Sequence, residues 1–448
     1  ETVEVTFEKE QLKSYDYVNA KTYILDAGDY YITAGKNAHD APNNILAHKG
    51  KTTKDGMTED GDAGLAAVYT PENADTDTET YAKNASTDAE VTNQFDFANG
   101  ELQYLSRNDW EGTWPSTDGE VSDIVSTWGN EINGTDASGA ATAYTYRKTI
   151  SAEDLEKIKS TDSLSPVKAD SLTDEPVYDA DNGVQLIALR GKAFDDPLWD
   201  DLLDNLSAEE YRKIISFSAY GTIELESVGK PACSDMDSAS GISAGGTGMT
   251  YSGPMVLAQT WNADLAFRYG EMIGNDALIG GLKGWYAPAM NIHRLPFSGR
   301  NNEYYSEDGF LSGVMAAGTS RGATNKGLYT FIKHFALNDQ ENLRGDQGMT
   351  GLCTWSNEQA IREIYLKPFE MCIMNDPVTI QYVKGDGNGG YENATAEIPP
   401  VLALMSAFNR LGYTWTGGCY PLLTGVLRNE WGFNGFVITD SAYSSGVD

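Results

Sequence analysis

The sequence predicts an α/β protein: a (β/α)8 TIM-like barrel, incomplete at its C-terminus, that follows an all-β piece. Strand-like and helix-like segments alternate from about residue 181 onward, which is typical of a parallel sheet. The length of 448 residues allows two or three domains and a large core. A doubly wound sheet is the alternative, but no Gly-X-Gly-X-X-Gly motif opens a helix after a strand, which counts against a dinucleotide-binding fold.

The N-terminal part predicts two regions before the barrel. Residues 1–50 read as β structure, and the stretch KTYILDAGDYYITAG (21–35) predicts two strands joined as a hairpin at residues 26–29. Because a single hairpin is not stable alone, we expect these residues to be the end of a β-sandwich. Residues 51–180 are acidic, Thr/Asn-rich and poor in aliphatic residues, and predict a linker or wrapping segment with a more ordered aromatic island at 95–115.

Residues 181–448 carry the predicted barrel. The expected strands are PACSDMD (231–237), GWYAPAMNI (284–292), GLYTFIKHFAL (327–337), PVLALMSAFN (400–409) and GFVITD (435–440). The expected helices cover residues 206–218, 262–281, 356–374 and 421–431.

Three local signals support these helices. Ser207 with Glu210 predicts a capping box, and Ser356 with Gln359 predicts a second cap. In the helix at 262–281 we expect a core-facing stripe of Leu265, Tyr269 and Met272. Residues 384–397 (KGDGNGGYENATAE) do not have the spacing of a calcium loop, and we interpret them as a flexible insertion.

The composition excludes several classes of partner and site. There are 66 acidic and 32 basic residues, and a formal charge of −34 repels nucleic acid and anionic membranes. The four cysteines form no Cys-X-X-Cys pair, no zinc spacing is present, and no apolar run is long enough to span a membrane. We expect no signal peptide at Glu1, and because the sequence lacks an initiator Met the compartment stays open. The acidic composition and the few cysteines slightly favour a secreted or periplasmic bacterial enzyme. The oligomeric state is left open, a homo-oligomer included.

Polar side chains follow several of the predicted strands. In a barrel the carboxyl ends of the strands share one face, so we expect a common pocket. Carboxylates beside cations suit a polyhydroxylated ligand better than a metal or a phosphate. His293 either contacts the ligand or orders its own turn, and Asn301 and Glu303 are expected to be structural. The strand-end residues are Asp235, Asp237, Asn291, His293, Arg300, Asn301, Glu303, Lys333, His334, Arg344, Asn409, Arg410 and Asp440.

Residues 181–448 resemble glycoside hydrolase family 3, the β-glucosidase family. The resemblance is carried by APAMNIHRLPFSGRNNEYYSEDGFLSG, IKHFALNDQENLR, MSAFNRLGY and GFNGFVITD, which occur in the family's order. It implies a retaining mechanism without a cofactor, in which Asp440 is the nucleophile. It also implies a sugar subsite with Phe408 beside the nucleophile. The residues expected to bind the non-reducing sugar are Asp237, Arg300, Lys333, His334 and Arg344.

The sequence also departs from the family pattern. Asp237 is followed by Ser238 where the family has a Gly-Pro turn, Phe408 replaces a tyrosine, and Ser441 replaces a tryptophan. These changes put the usual rate and substrate preference in question. The N-terminal part is similar to a permuted subgroup in which a fibronectin-III-like domain precedes the barrel, so that residues 1–50 would be the end of such a domain.

The resulting functional hypothesis is an exo-acting retaining β-glycosidase, most of all a β-glucosidase. Asp237 favours glucose because it would bind a 6-hydroxyl that xylose lacks. A β-xylosidase or α-arabinofuranosidase, or a non-catalytic carbohydrate-binding pseudo-enzyme, are the alternatives. No segment resembles the family's acid/base motif, and the chain ends soon after Asp440. We therefore expect a fragment, with the acid/base and the barrel end supplied by the remaining part of the same gene product.

Overall fold

A computed structural model describes residues 4, 6–55, 57, 59–72, 75–100, 151–217, 219–242, 248–296, 298–341, 352–386 and 388–440. Arg344, Ser441 and most of the predicted aromatic island lie outside these residues. The described strands are β1 (Ser14–Asp16), β2 (Thr22–Ile24), β3 (Tyr30–Thr33), β4 (Ala66–Tyr69), β5 (Gly221–Thr222), β6 (Cys233–Asp237), β7 (Gly284–Tyr286), β8 (Tyr329–Phe335), β9 (Cys353–Thr354), β10 (Val378–Gly385), β11 (Tyr391–Ile398), β12 (Ala403–Ser406), β13 (Arg410–Leu411), β14 (Thr414–Trp415) and β15 (Phe436–Ile438).

The α-helices cover Asp40–His48, Asp96–Asn99, Ala152–Lys159, Leu198–Asp204, Ala208–Ser216, Pro254–Ala258, Ala263–Gly280, Gly309–Asn325, Glu358–Ala360 and Lys367–Ile373. Two segments have π-helical hydrogen bonding, Ile361–Tyr365 and Pro421–Glu430. No helix within the described ranges is both long and apolar enough to cross a membrane.

A six-stranded sheet organises the C-terminal region, in the order β15-β12-β8-β7-β6-β5. Within this sheet β6, β7, β8, β12 and β15 run parallel to one another, and β5 is antiparallel to β6. Helices separate the successive parallel strands along the chain. This confirms the predicted α/β class and all of the predicted barrel strands, and the described part forms a half-barrel with one antiparallel edge strand.

The stripe predicted on helix Ala263–Gly280 is wrong for two of its three residues. Tyr269 is buried, but Leu265 is 38% exposed and Met272 is 41% exposed. Small residues face the neighbouring helix Gly309–Asn325 instead, and a Cβ added to Gly270 would lie 2.0 Å from the Thr319 carbonyl oxygen. The close approach of the two helices therefore selects glycine and alanine at the contact.

One helix cap is confirmed and one is displaced. The Ser207 hydroxyl accepts a hydrogen bond from Glu210 N, and the Glu210 carboxylate accepts one from Ser207 N, as in a capping box. In the other helix the cap is Asn357 instead of the predicted Ser356. Ser356 N donates to the Ala98 carbonyl, so this residue is held by the preceding segment and the helix begins at Glu358.

The predicted N-terminal hairpin does not form between its two strands. β2 pairs with β1, and β3 pairs with β4, both antiparallel. The turn residues separate because Leu25 bridges to Asp77 instead of continuing toward β3. Helix Asp40–His48 packs on the β3–β4 sheet, whereas β1 lies against the segment Glu358–Tyr365. The fibronectin-III-like assignment of residues 1–50 stays a prediction.

Residues 75–100 pack directly on the barrel helices. Phe95 is fully buried in the main hydrophobic cluster. The backbone N–H groups of Gln94 and Phe95 donate to the Glu358 carboxylate, and Arg362 binds the Thr92 carbonyl. These contacts join the N-terminal segment to the helix that follows β8.

The segment interpreted as a flexible insertion is an ordered hairpin in the structure. β10 and β11 pair in register from Val378 opposite Ile398 to Gly385 opposite Tyr391. Asp386 stabilises the turn by accepting from the backbone N–H groups of Asn388 and Gly390. The strand signal lies just before that segment, where Val378, Ile380 and Tyr382 alternate with Thr379 and Gln381.

Candidate active site

Two strand ends bring a lysine and an aspartate into direct contact. Lys333 Nζ donates to Asp237 Oδ1 over 2.6 Å, from β8 to the last residue of β6. The lysine side chain is 3% exposed, whereas that of Asp237 is 43% exposed. The Asp237 carboxylate is thus open to solvent on one side and bound to the buried ammonium group of Lys333 on the other. This arrangement can bind a hydroxyl-rich ligand.

A second group is centred on His334. Nη2 of Arg300 lies 2.9 Å from Nε2 of His334, and Nε of Arg300 donates to the Glu303 carboxylate. Oδ2 of Asp440 lies 3.6 Å from the same histidine nitrogen. Burial lowers the pKa of Arg300, but Tyr304, Glu303 and Asp440 together raise it above its ordinary value, so the guanidinium is a permanent cation.

Asp440 occupies the position expected of a strand-end carboxylate. It lies two residues beyond β15, and its side chain is 13% exposed. Phe408 follows β12, the neighbour of β15, and is buried. Lys333, which contacts Asp237, and His334, which lies beside Asp440, are consecutive residues of β8. The two groups of side chains therefore lie next to each other near the end of β8.

Other predicted strand-end residues have structural partners. Asn301 Nδ2 donates to the Leu295 carbonyl. His293 N donates to the Ser306 carbonyl, and burial lowers the pKa of the His293 ring, which favours its turn-ordering role. Arg410 donates to the Tyr413 carbonyl, away from the residues described above.

The sequence did not indicate what holds His334 in place. The Asn291 side chain accepts from His334 N and donates to the His334 carbonyl, each over 2.9 Å. The Tyr304 hydroxyl lies 3.5 Å from Nδ1 of His334. Asn291 appeared only as one of several polar residues after a strand, and no sequence signal could assign its partner.

Asp339 was also missed by the sequence analysis. It is buried, and its carboxylate accepts from Ile292 N, next to Asn291. Burial raises the pKa of Asp339 to about 7. The only hint in the sequence was its place in the NDQE stretch after β8.

Metal ligation has no visible basis in the described ranges. They contain no group of three or more His, Cys, Asp or Glu side chains that could hold a metal ion. The carboxylates near His334 are instead accompanied by Lys333 and Arg300.

Comparison with known proteins decides the family. Residues 203–447 match the profile described as "Glycosyl hydrolase family 3 N terminal domain", which is more than half of the chain. The chain belongs to glycoside hydrolase family 3. This confirms the family resemblance that the strand-end motifs predicted.

The chain matches only part of the length of its curated relatives. Beta-glucosidase A of Butyrivibrio fibrisolvens is 32% identical over 252 residues, which are 54% of this chain and 27% of that protein. A beta-glucosidase of Rhizobium radiobacter is 34% identical over 248 residues, with the same two shares of 54% and 27%. The chain therefore spans about a quarter of the length of these relatives.

A solved structure extends the likeness of the fold beyond the matched region. The match to the beta-glucosidase from Paenibacillus barengoltzii covers 96% of this chain and 39% of that protein's chain, with a TM-score of 0.57 and 22% identity. At this identity the likeness concerns the fold. It includes residues N-terminal to the matched family region.

Proposed function

We propose that the protein containing this chain is an exo-acting retaining β-glucosidase that hydrolyses non-reducing terminal β-D-glucosyl residues. The observation that carries the proposal is the position of Asp440 beside His334, 3.6 Å between Oδ2 and Nε2, at the carboxyl end of a barrel strand. The two curated relatives at 32% and 34% identity are named beta-glucosidases, which supports glucose as the sugar.

In this proposal Asp440 is the nucleophile. Its carboxylate forms a bond to the anomeric carbon while the glycosidic C–O bond breaks, and the leaving oxygen takes a proton from a second carboxyl group. Water then attacks the glycosyl-enzyme, gives its proton to that second group, and releases Asp440. The second carboxyl group comes from the remaining part of the same gene product.

Arg300 and His334 orient the nucleophile. The permanent charge of Arg300 interacts favourably with Asp440, and Glu303 fixes the other edge of the guanidinium. A fixed cation beside the carboxylate holds it in one position, and preorganisation of this kind contributes to transition-state stabilisation.

Asp237 and Lys333 bind the hydroxyl groups of the sugar. The exposed carboxylate of Asp237 accepts from two hydroxyls, and the contact with Lys333 fixes its direction. We assign the 4- and 6-hydroxyls to Asp237, as the family resemblance implies. Arg344 and Phe408 complete the proposed sugar-binding set.

A covalent trap tests the proposal. The full-length protein is incubated with a 2-fluoro-2-deoxyglucoside that has a good leaving group, and intact mass and peptide mapping follow. We expect an adduct of one fluorohexose on Asp440, because the fluorine slows hydrolysis of the intermediate more than it prevents its formation.

Two variants sharpen this experiment. Asp440→Asn should give no adduct, whereas Asp237→Asn should still be labelled at Asp440 but only at higher reagent concentration. An adduct on another carboxylate would reject Asp440 as nucleophile. Glucose binding without any adduct would reject catalysis in favour of a carbohydrate-binding pseudo-enzyme.

A further inference from the structure

Asn291 holds the backbone of His334 from both sides. Strand β8 and the segment after β7 run in parallel here, since Met290 N donates to the Lys333 carbonyl and Ala289 bridges to Lys333. Asn291 lies two residues beyond Ala289, and its side chain contacts the backbone of His334. The Asn291 amide then satisfies both the N–H and the C=O of His334, each over 2.9 Å.

The two backbone contacts fix which end of the Asn291 amide is oxygen. A backbone N–H needs an acceptor and a carbonyl needs a donor, so a flipped amide would place like groups together. Oδ1 of Asn291 therefore also faces Nδ1 of His334, at 3.3 Å. This oxygen can only accept, whereas the Tyr304 hydroxyl, 3.5 Å from the same nitrogen, can donate or accept. The arrangement that suits both neighbours places the hydrogen on Nδ1.

The other side of the ring leads independently to the same tautomer. Nη2 of Arg300 lies 2.9 Å from Nε2 of His334, and a guanidinium can only donate. Nε2 must then be the acceptor, with its lone pair directed at Arg300. Asn291 is buried and Arg300 is largely buried, so water is a poor substitute for the contact of either residue with the His334 ring.

We propose that Asn291 is a positioning residue that holds His334 as the neutral Nδ1–H tautomer, so that Nε2 accepts from Arg300 beside the nucleophile. The role in catalysis rests on the proposed function, because it matters for the reaction only if Asp440 is the nucleophile. With a hydrogen on Nε2, two donors would face each other, and Arg300 would move away from Asp440.

A direct measurement is the long-range ¹H–¹⁵N spectrum of imidazole nitrogens in the histidine-labelled protein. The chain contains four histidines, and His334→Gln assigns the relevant signals. We expect a protonated Nδ1 and a bare Nε2 for His334 at neutral pH. An Nε2–H tautomer or an imidazolium in the wild type would overturn the proposal without any need for a variant.

Variants separate the positioning role from a general loss of packing. Asn291→Ala should mix the two tautomers and lower kcat/KM by about tenfold, the effect of one lost hydrogen bond near the reacting atoms. Asn291→Asp keeps an acceptor at Nδ1 and should keep the tautomer. Unchanged His334 signals in Asn291→Ala would contradict the assignment.

Asn409→Ala is the matched control. Asn409 is equally buried and donates to the Ala336 carbonyl just beyond β8, but it faces no imidazole. We expect it to leave the His334 signals as in the wild type. If the expected tautomer is found in a protein that forms no glycosyl adduct, the proposed function fails while the assignment of His334 stands.

Discussion

Lys333 and Asp237 form an ion pair of 2.6 Å although β7 lies between their strands in the sheet. Asp237 is the last residue of β6 and Lys333 lies two residues before the end of β8, so the side chains meet near the carboxyl ends of the two strands. Lys333 is almost fully buried, and its ammonium group contacts Asp237, whose carboxylate remains open to solvent. The sugar specificity of the site should therefore depend on Asp237.

Replacing Asp237 should change the preference between glucosides and xylosides. Asp237→Ala removes the acceptor for the 6-hydroxyl, which glucose has and xylose lacks, and leaves Lys333 buried without this partner. We expect kcat/KM to fall for both aryl glycosides, but about tenfold or more further for the glucoside. Equal losses for the two substrates would contradict a contact with the 6-hydroxyl.

The strands and the positions of the charged residues at their ends were predictable because their signals are local. β8 is a continuous apolar run that leads into Lys333 and His334, and the parallel order of the strands then places their ends together. The face of helix Ala263–Gly280 was not predictable in the same way. Apolar residues lie on both of its faces, and the contact is made where glycines of this helix meet glycines of a second helix.

The supporting contacts of the site depend on register, which the sequence does not encode locally. The contact between Asn291 and His334 arises only after the segment beyond β7 has aligned with β8. Likewise, β3 finds its partner β4 more than thirty residues further along the chain, where a hairpin signal is of no help.

Arg362 should be a major contributor to the stability of the chain. It is buried between two carboxylates, with bonds of 2.8 Å to Glu358 and 2.7 Å to Glu430, and it also binds the Thr92 carbonyl. Arg362→Met leaves both carboxylates buried without their cation. We expect the free energy of unfolding, measured in urea, to fall by about 3–5 kcal/mol.

Arg212→Met is the control for this prediction. Arg212 binds Glu209 within one exposed helix, and such surface pairs contribute at most about 1 kcal/mol. If both arginine variants lost the same small amount, the buried cluster would not be what holds residues 75–100 on the barrel.

Adding a single methyl group at the contact between the two long helices should lower the stability of the protein. Gly270→Ala would place a Cβ 2.0 Å from the Thr319 carbonyl oxygen, so helices Ala263–Gly280 and Gly309–Asn325 must separate. We expect a loss of about 1–3 kcal/mol in the free energy of unfolding. Gly385→Ala, with no atom within 4 Å of the added Cβ, should change it by less than about 1 kcal/mol.

Asp339 should make the stability of the protein fall as the pH rises from about 4 to about 7. Its pKa is raised to about 7 in the folded state by burial, whereas an unfolded aspartate has a pKa of about 3.9. Between these two pH values the folded state binds a proton that the unfolded state lacks. The stabilisation by protonated Asp339 is therefore complete below about pH 4 and decreases by about 1.4 kcal/mol for each pH unit up to about pH 7. Asp339→Asn should remove this pH dependence from the free energy of unfolding measured in urea between pH 5 and 7.

Asp386→Asn is the control and should leave the slope unchanged, because backbone N–H groups of Asn388 and Gly390 lower the pKa of that exposed carboxyl. A slope that persists in Asp339→Asn would mean that another group takes up the proton.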